Sequence, residues 1–308
     1  MTKLRVGVSV RPQHTNYKKM RQTWQEAEEL GADAVFIWDH FFPLFGDPNG
    51  THFECWTLLA ALAEVTERVQ IGALVACNSY RNPNLHADMA RTIDHISGGR
   101  AVLGIGAAWF EAEHDAYGFR FPPLKERFER LEDALRIARA MFTEERATVE
   151  GTHHSVHGAL NNPRPLRGDI PILIGGSGER KTLRFVAQYA DACNLFGDVE
   201  RVQHLLGVLD RHCEDVGRVP SEITRTRMTG VLIGATHEDA ERKKAAAADA
   251  GVPQERLDGM LLGDPDSIAE QAQAYADIGI EGLTITLPDT DDLETIALVG
   301  RTLAPVFA

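Results

Sequence analysis

The sequence predicts one α/β domain spanning residues 1–308, closed as a (β/α)8 TIM barrel with insertions after strand 4 and before strand 5. Three observations carry that expectation. Eight short runs are apolar on both faces, the pattern of strands covered on both sides. A helical stretch follows each of them. The first run continues as VSVRPQHTN, without the glycine-rich turn that often follows the first strand of an open doubly wound sheet. A chain of 308 residues also suits a single barrel.

In order, LRVGVSV at 4–10 is the first strand. The helical segment NYKKMRQTWQEAEELG follows and stops at Gly31, a residue suited to the left-handed position that ends helices. The later strands are AVFIWD, VQIGALV, AVLGIG, IPILIGG, DACNLFG, TGVLIG and GLTITLP. The clearest helix is KERFERLEDALRIARAMF, with Phe128, Leu131, Leu135, Ala138 and Phe142 on one face. Glu126/Arg130 and Glu132/Arg136 are spaced as i,i+4 pairs on the other. The last helix is DDLETIALVGRTLAPVF. Two connections are long: residues 107–124, and residues 144–170, which read as a small hairpin with an irregular lead-in to strand 5. Long structured insertions tend to be lids or interfaces.

The chain carries 32 basic and 45 acidic residues, a formal net charge of −13. Such a surface repels phosphate backbones and anionic lipid, so nucleic acid and membranes are poor partners. It says little about a small-molecule substrate, because a local pocket can carry either sign. Cys55, Cys77, Cys193 and Cys213 show no CxxC or other metal spacing and read as reduced thiols. The opening MTKLRVGVSV enters a strand without a signal-peptide pattern. No apolar run approaches the roughly 20 residues that span a bilayer. These features point to a cytoplasmic protein.

A barrel of this kind places its active site at the C-terminal ends of its strands. Asp39 and His40 follow the second strand directly. Asp39 suits a ligand contact or the orientation of His40, and His40 suits proton transfer, since an imidazole titrates near neutrality. The structural alternative is an Asx turn beside a packed histidine. Residues 41–53 form a long βα connection with exposed aromatics, fit for a pocket wall. After the fifth strand, Gly175, Gly176, Ser177 and Gly178 precede a helix expected near Glu179. Glycines let backbone amides approach an anion, and the helix terminus adds a positive dipole. A tight turn with a capping serine is the plainer reading. After the fourth strand, Gly104 and Gly106 permit close approach of something flat, and Trp109, Phe110 and Glu111 are pocket candidates, balanced against ordinary loop aromatics. By the same rule Arg225 and Arg227, which precede TGVLIG, belong to the opposite rim as solvated or ion-paired residues. His95 precedes a strand. His153, His154 and His157 lack companions with metal-ligand spacing, so no metal is expected.

Several stretches together resemble the luciferase-like monooxygenase superfamily, and within it the branch of oxidoreductases that use the deazaflavin coenzyme F420. They are WDHFF, SYRNP, TIDHISGGRAVLGIGAAWFEAEH, FPPLKERFERLEDAL and PILIGGSGERKTLRFVAQYADACN, covering nearly the whole chain in order. The resemblance implies a TIM barrel, usually a homodimer, with a tricyclic ring in the barrel mouth beside Asp39 and His40. It implies a non-proline cis peptide near Leu74–Val75 whose bulge backs the ring, and a cofactor contact at Cys77. It implies a phosphate held by Gly175 to Gly178, and Asn194 facing the pocket. There is one departure. Sugar-phosphate dehydrogenases of the superfamily carry a glutamate directly after the GxG of strand 4, and this chain has Ala107.

The expected chemistry is hydride transfer between the deazaflavin and a small organic substrate, with His40 as the proton-transfer residue. FMN is the alternative cofactor, in an FMN-dependent luciferase-like monooxygenase on the same scaffold. A phosphosugar isomerase or aldolase barrel is the alternative from another class. The absence of a convincing Schiff-base lysine or of paired carboxylates at strand ends argues against it.

Overall fold

Closure of the sheet follows from its strand pairings. A computed structural model describes residues 4–286 and 293–307. The barrel strands are β1 (Val6–Val10), β2 (Ala34–Ile37), β3 (Gln70–Ala73), β4 (Ala101–Gly106), β5 (Ile172–Gly175), β6 (Ala192–Leu195), β7 (Thr224–Ile233) and β8 (Gly282–Thr286). Each pairs in parallel with the next, and β8 returns to β1, Val6 opposite Leu283. A closed ring has no free edge, and its inward and outward faces are both covered. That is why the eight runs are apolar on both sides.

The helix Leu124–Thr143 buries Leu131, Leu135, Ala138 and Phe142 against the barrel, as its periodicity predicts. Glu126 pairs with Arg130 at 2.8 Å on the outer face, while Glu132 accepts the Tyr189 hydroxyl. The insertion after β4 contains a short helix, Glu111–Tyr117. The insertion before β5 contains the antiparallel hairpin Ala147–Val149 and Val156–Ala159. The final helix spans Leu293–Leu303, and the aspartates expected at its start lie outside the described residues.

One element departs from its sequence reading. β7 begins at Thr224, five residues before TGVLIG. Its first half pairs with β6 and its last three residues with a short extra strand, Leu261–Gly263. The peptide Leu74–Val75 is cis. Among the described residues no helix is long and apolar enough to cross a membrane.

Candidate active site

Two adjoining cavities open at the C-terminal rim. A slot of about 310 Å³ lies over the end of β3 and the glycines of β4 and β5. A larger chamber of about 930 Å³ lies beside it, and His40, Leu74, Trp109 and Phe196 line both.

The floor of the slot is built by Asp39. This buried side chain accepts two hydrogen bonds from the Arg81 fork, 2.6 Å from Nη1 and 2.9 Å from Nη2, and one from the Cys77 amide at 2.9 Å. It thereby ties the end of β2 to the bulge that follows β3. Burial raises the Asp39 carboxyl above its usual range, and the Arg81 charge with these hydrogen bonds offsets only part of that rise. The forked geometry calls for a carboxylate partner, and Asp39 in turn holds Arg81 protonated. Glu54 also accepts from Arg81, at 2.7 Å.

His40 is oriented by Glu113 and not by Asp39. Its Nδ1 lies 2.8 Å from Glu113 Oε2, and Glu113 is fully buried. The other carboxylate oxygen accepts the amides of Phe41 at 2.5 Å and Phe42 at 2.9 Å, and the Tyr80 hydroxyl donates to Oε2. Burial works against charge on Glu113. The hydrogen bonds from His40, Tyr80 and the Phe41 amide outweigh it and hold the carboxyl below its usual range. An ionised carboxylate only accepts, so Nδ1 carries the hydrogen and a neutral ring keeps a bare Nε2.

Above His40 stand two stacked rings. Trp109 and Phe110 lie 5.0 Å apart at 13°, with their centroids 5.4 and 5.9 Å from the imidazole. They return over the histidine because Ala108 adopts a left-handed backbone, φ 68°. That conformation costs a non-glycine residue about 1–2 kcal/mol. Arg127 Nη1 donates to the Ala108 carbonyl at 2.6 Å and steadies the turn.

The slot suits a flat heterocycle with polar edges. Its back wall is the cis bulge, whose Val75 side chain reaches the space left by two glycines. A Cβ on Gly175 would lie 2.8 Å from Val75 Cγ1, and one on Gly106 2.9 Å from Cγ2. Asn194 is fully buried, its Nδ2 donating to Thr226 at 2.9 Å while Oδ1 has no partner. An orphaned buried acceptor beside an apolar slot asks for a donor from a ligand. At the slot's rim, the amides of Ser177 and Gly178 have no acceptor among the described residues. The helix beyond them, Thr182–Tyr189, begins three residues later than expected. The Ser177 hydroxyl is engaged with the Phe196 backbone, 3.0 Å from its amide.

Asp39, His40, Leu74, Val75, Cys77, Gly106, Gly175, Gly176, Trp109, Phe110 and Asn194 thus line one slot. Ser177 and Gly178 follow at its rim. Glu111 is exposed and lines neither cavity; the acid that reaches His40 is Glu113, two residues on. Phe41 stacks away from both cavities on Tyr117, 4.2 Å between centroids, while Trp38, directly after β2, lines the chamber. Cys77 is a thiol, its pKa pushed up to about 11 by burial. Arg227 is not at the opposite rim. It pairs in register with Leu195, the last residue of β6, and lines the chamber. Arg225 does behave as expected, ion-paired to Asp210. Glu113, Tyr80, Arg81 and Phe196 were not singled out by sequence, although SYRNP and EAEH contain the first three.

The sequence profile of the luciferase-like monooxygenases matches residues 1–251. The F420-dependent glucose-6-phosphate dehydrogenase of Intrasporangium calvum is 28% identical, with 94% of each chain covered. That of Nakamurella multipartita is 30% identical, over 91% of this chain and 89% of the relative. Among solved structures, an F420-dependent secondary alcohol dehydrogenase in complex with an F420-acetone adduct superposes with a TM-score of 0.85 at 16% identity, covering 100% of both chains. The coenzyme F420-dependent tetrahydromethanopterin reductase from Methanopyrus kandleri gives 0.83 at 18%, again over 100% of both. At such identities these two speak for the fold alone.

Proposed function

The chain belongs to the luciferase-like monooxygenase family, and from that premise we propose that it is an oxidoreductase that uses coenzyme F420 on a small organic substrate. The observation that carries this reading is the place of His40, in the wall shared by slot and chamber. A ring in the slot and a substrate in the chamber would meet at its Nε2. Curated relatives over nine-tenths of the chain are F420-dependent dehydrogenases, which supports the choice of cofactor.

When bound, the deazaflavin supplies one ring carbon that takes or gives a hydride. The chain's own groups do the rest. Val75 would lie behind the ring, Asn194 Oδ1 would offer an acceptor to it, and Gly175 to Gly178 would hold the phosphate. His40 Nε2 takes the proton from a substrate hydroxyl, or returns it in the reverse direction. Trp109 and Phe110 stand over the imidazole and restrict the path of water to that exchange.

His40→Gln tests the assignment. General acid–base catalysis is worth about 10²–10⁴-fold, so turnover of glucose-6-phosphate or secondary alcohols should fall at least about 100-fold. Affinity for F420, read by fluorescence titration, should stay within about threefold of wild type. Unchanged turnover removes His40 from the chemistry, and tight binding of FMN with none of F420 reassigns the cofactor. The same reading includes a homodimer. Light scattering at monomer mass would remove that part.

A further inference from the structure

The chamber holds a cation that the proton transfer above does not use. Arg227 is only 4% exposed. Its Nε donates to the Gly197 carbonyl at 2.7 Å, and its guanidinium stacks over Tyr275, 4.2 Å from the ring centroid. Nη1 is buried with no hydrogen-bond partner. No carboxylate among the described residues pairs with it. Asp198 lines the same chamber but caps the helix Val199–Val216 through the Arg201 amide, and Asp258 is held by Lys244. Glu255 is exposed and forms no ion pair with it. At the rim a second guanidinium, Arg256, lies over Phe45 at 4.3 Å, also without an ion pair among the described residues.

Asp198 acts on Arg227 through space without touching it. A buried guanidinium with no contacting carboxylate is costly, and an anion that contacts Nη1 offsets that cost. A planar fork already fixed at Nε and by stacking loses little freedom on gripping a carboxylate or phosphate. Arg227 lines the chamber and not the slot, so the group it grips belongs to the substrate. We infer that Arg227, with Arg256 at the rim, forms the recognition site for an anionic group, carboxylate or phosphate, of the chamber's substrate. This rests on the slot holding the cofactor.

The test is calorimetric titration of inorganic phosphate, and separately of acetate, into the wild-type chain and Arg227→Gln. The difference between the two proteins isolates this site, since any anion bound at Gly175–Gly178 is common to both. Wild type should bind at least one probe about tenfold more tightly than the variant, and the stronger probe identifies the anion. Equal binding by both proteins, or none by wild type, overturns the inference. Should Arg227→Gln fail to fold by circular dichroism, Arg227→Lys keeps the charge without the fork. It should bind the preferred anion several-fold more weakly, and wild-type affinity in it overturns the inference equally. Parallel F420 titrations report the cofactor assignment separately. Their failure leaves the anion result standing, with the occupant of the slot then open.

Discussion

Glu113→Gln is the sharpest perturbation of the site, because it keeps the shape and changes the direction of two hydrogen bonds. The wild-type carboxylate accepts from four donors: His40 Nδ1, the Tyr80 hydroxyl, and the amides of Phe41 and Phe42. A glutamine carbonyl can still take the two amides. Its NH2 then faces His40 and Tyr80 as a donor. His40 must offer Nδ1 as an acceptor, which moves its hydrogen to Nε2 and turns the proposed base into a donor. Hydrogen bonds to a charged group contribute about 1.5–3 kcal/mol and neutral ones about 0.5–1.5. All four contacts lose charge assistance, and no longer burying a charge offsets part of that loss, so the net cost is about 2–3 kcal/mol of stability near neutral pH, measurable by urea denaturation. Turnover should fall about 100-fold or more, the scale of general acid–base catalysis, with F420 affinity within about threefold. The pH dependence has a definite sign. Glu113 is depressed in the folded state, so its contribution is fully present above the unfolded carboxyl value of about 4.3 and is lost as pH falls through the lower folded value. The stability gap between wild type and variant should therefore narrow in acid. Tyr80→Phe removes one donor without inverting the imidazole and should cost only a few-fold in turnover. Turnover in Glu113→Gln within threefold of wild type, or a gap that does not narrow in acid, refutes the orienting role.

Other outcomes follow from the same geometry. In Gly104→Ala the new Cβ would lie 1.9 Å from the Ala73 carbonyl oxygen, a contact only backbone movement can relieve. It should lose about 3 kcal/mol or more by urea denaturation, the upper range of overpacking, and wild-type stability would contradict the close strand contact. In Gly175→Ala the clash is with Val75 Cγ1 at 2.8 Å, so the bulge is pushed into the slot. F420 should bind about tenfold more weakly, with a smaller stability loss than in Gly104→Ala; unaltered affinity would mean that Val75 does not back the ring. Asp39→Asn leaves the Arg81 fork opposite a neutral amide, and breaking a buried pair costs about 3–5 kcal/mol. Glu54 still reaches Arg81 at 2.7 Å, which places the expected loss at the low end, near 3 kcal/mol in a denaturant melt. A loss below about 1 kcal/mol would remove the pair as a brace between β2 and the bulge.

The strands were legible where their burial is apolar on both sides. AVLGIG coincides with β4, Ala101–Gly106, residue for residue. β7 was only half legible because the barrel is polar inside at that level. Thr226 is fully buried there, holding Asn194, and Thr284 lies next to them. TRTRM therefore looks like a solvated approach to a strand, and the rule that sorts residues by strand end put Arg227 on the wrong rim. The slot was legible because its residues come straight after β2, β3, β4 and β5, where chain order and space coincide. Glu113 was not, for the opposite reason. It sits 73 positions from His40, inside a helix of the insertion and not at a strand end. No local spacing encodes a contact that depends on how an insertion folds back over the rim. Phe41 misled for the same reason, since its stacking partner Tyr117 lies in that insertion.

The fold-back of that insertion also decides how a proton can travel. The resemblance to sugar-phosphate dehydrogenases would place a glutamate after the GxG of β4, and Ala107 leaves that position without an acid. The carboxylate nearest His40 is then Glu113, and both its oxygens are filled by donors from three directions. It is fully buried and held below its usual pKa range, so it has neither the affinity nor the access to pass a proton to solvent. The Nδ1 side of the imidazole is thus closed. In the proposed reaction, proton exchange at His40 would enter and leave through Nε2, on the face shared by slot and chamber, and any second acid or base would come from the substrate or from water admitted past Trp109. That tryptophan is 65% exposed, so the cover over His40 is a ring held by stacking on Phe110 and by the Ala108 turn, not by burial. Access to Nε2 is therefore set by the loop that Arg127 anchors through the Ala108 carbonyl, 19 positions before it in the chain, and the proposed proton step depends on that residue of the helix Leu124–Thr143.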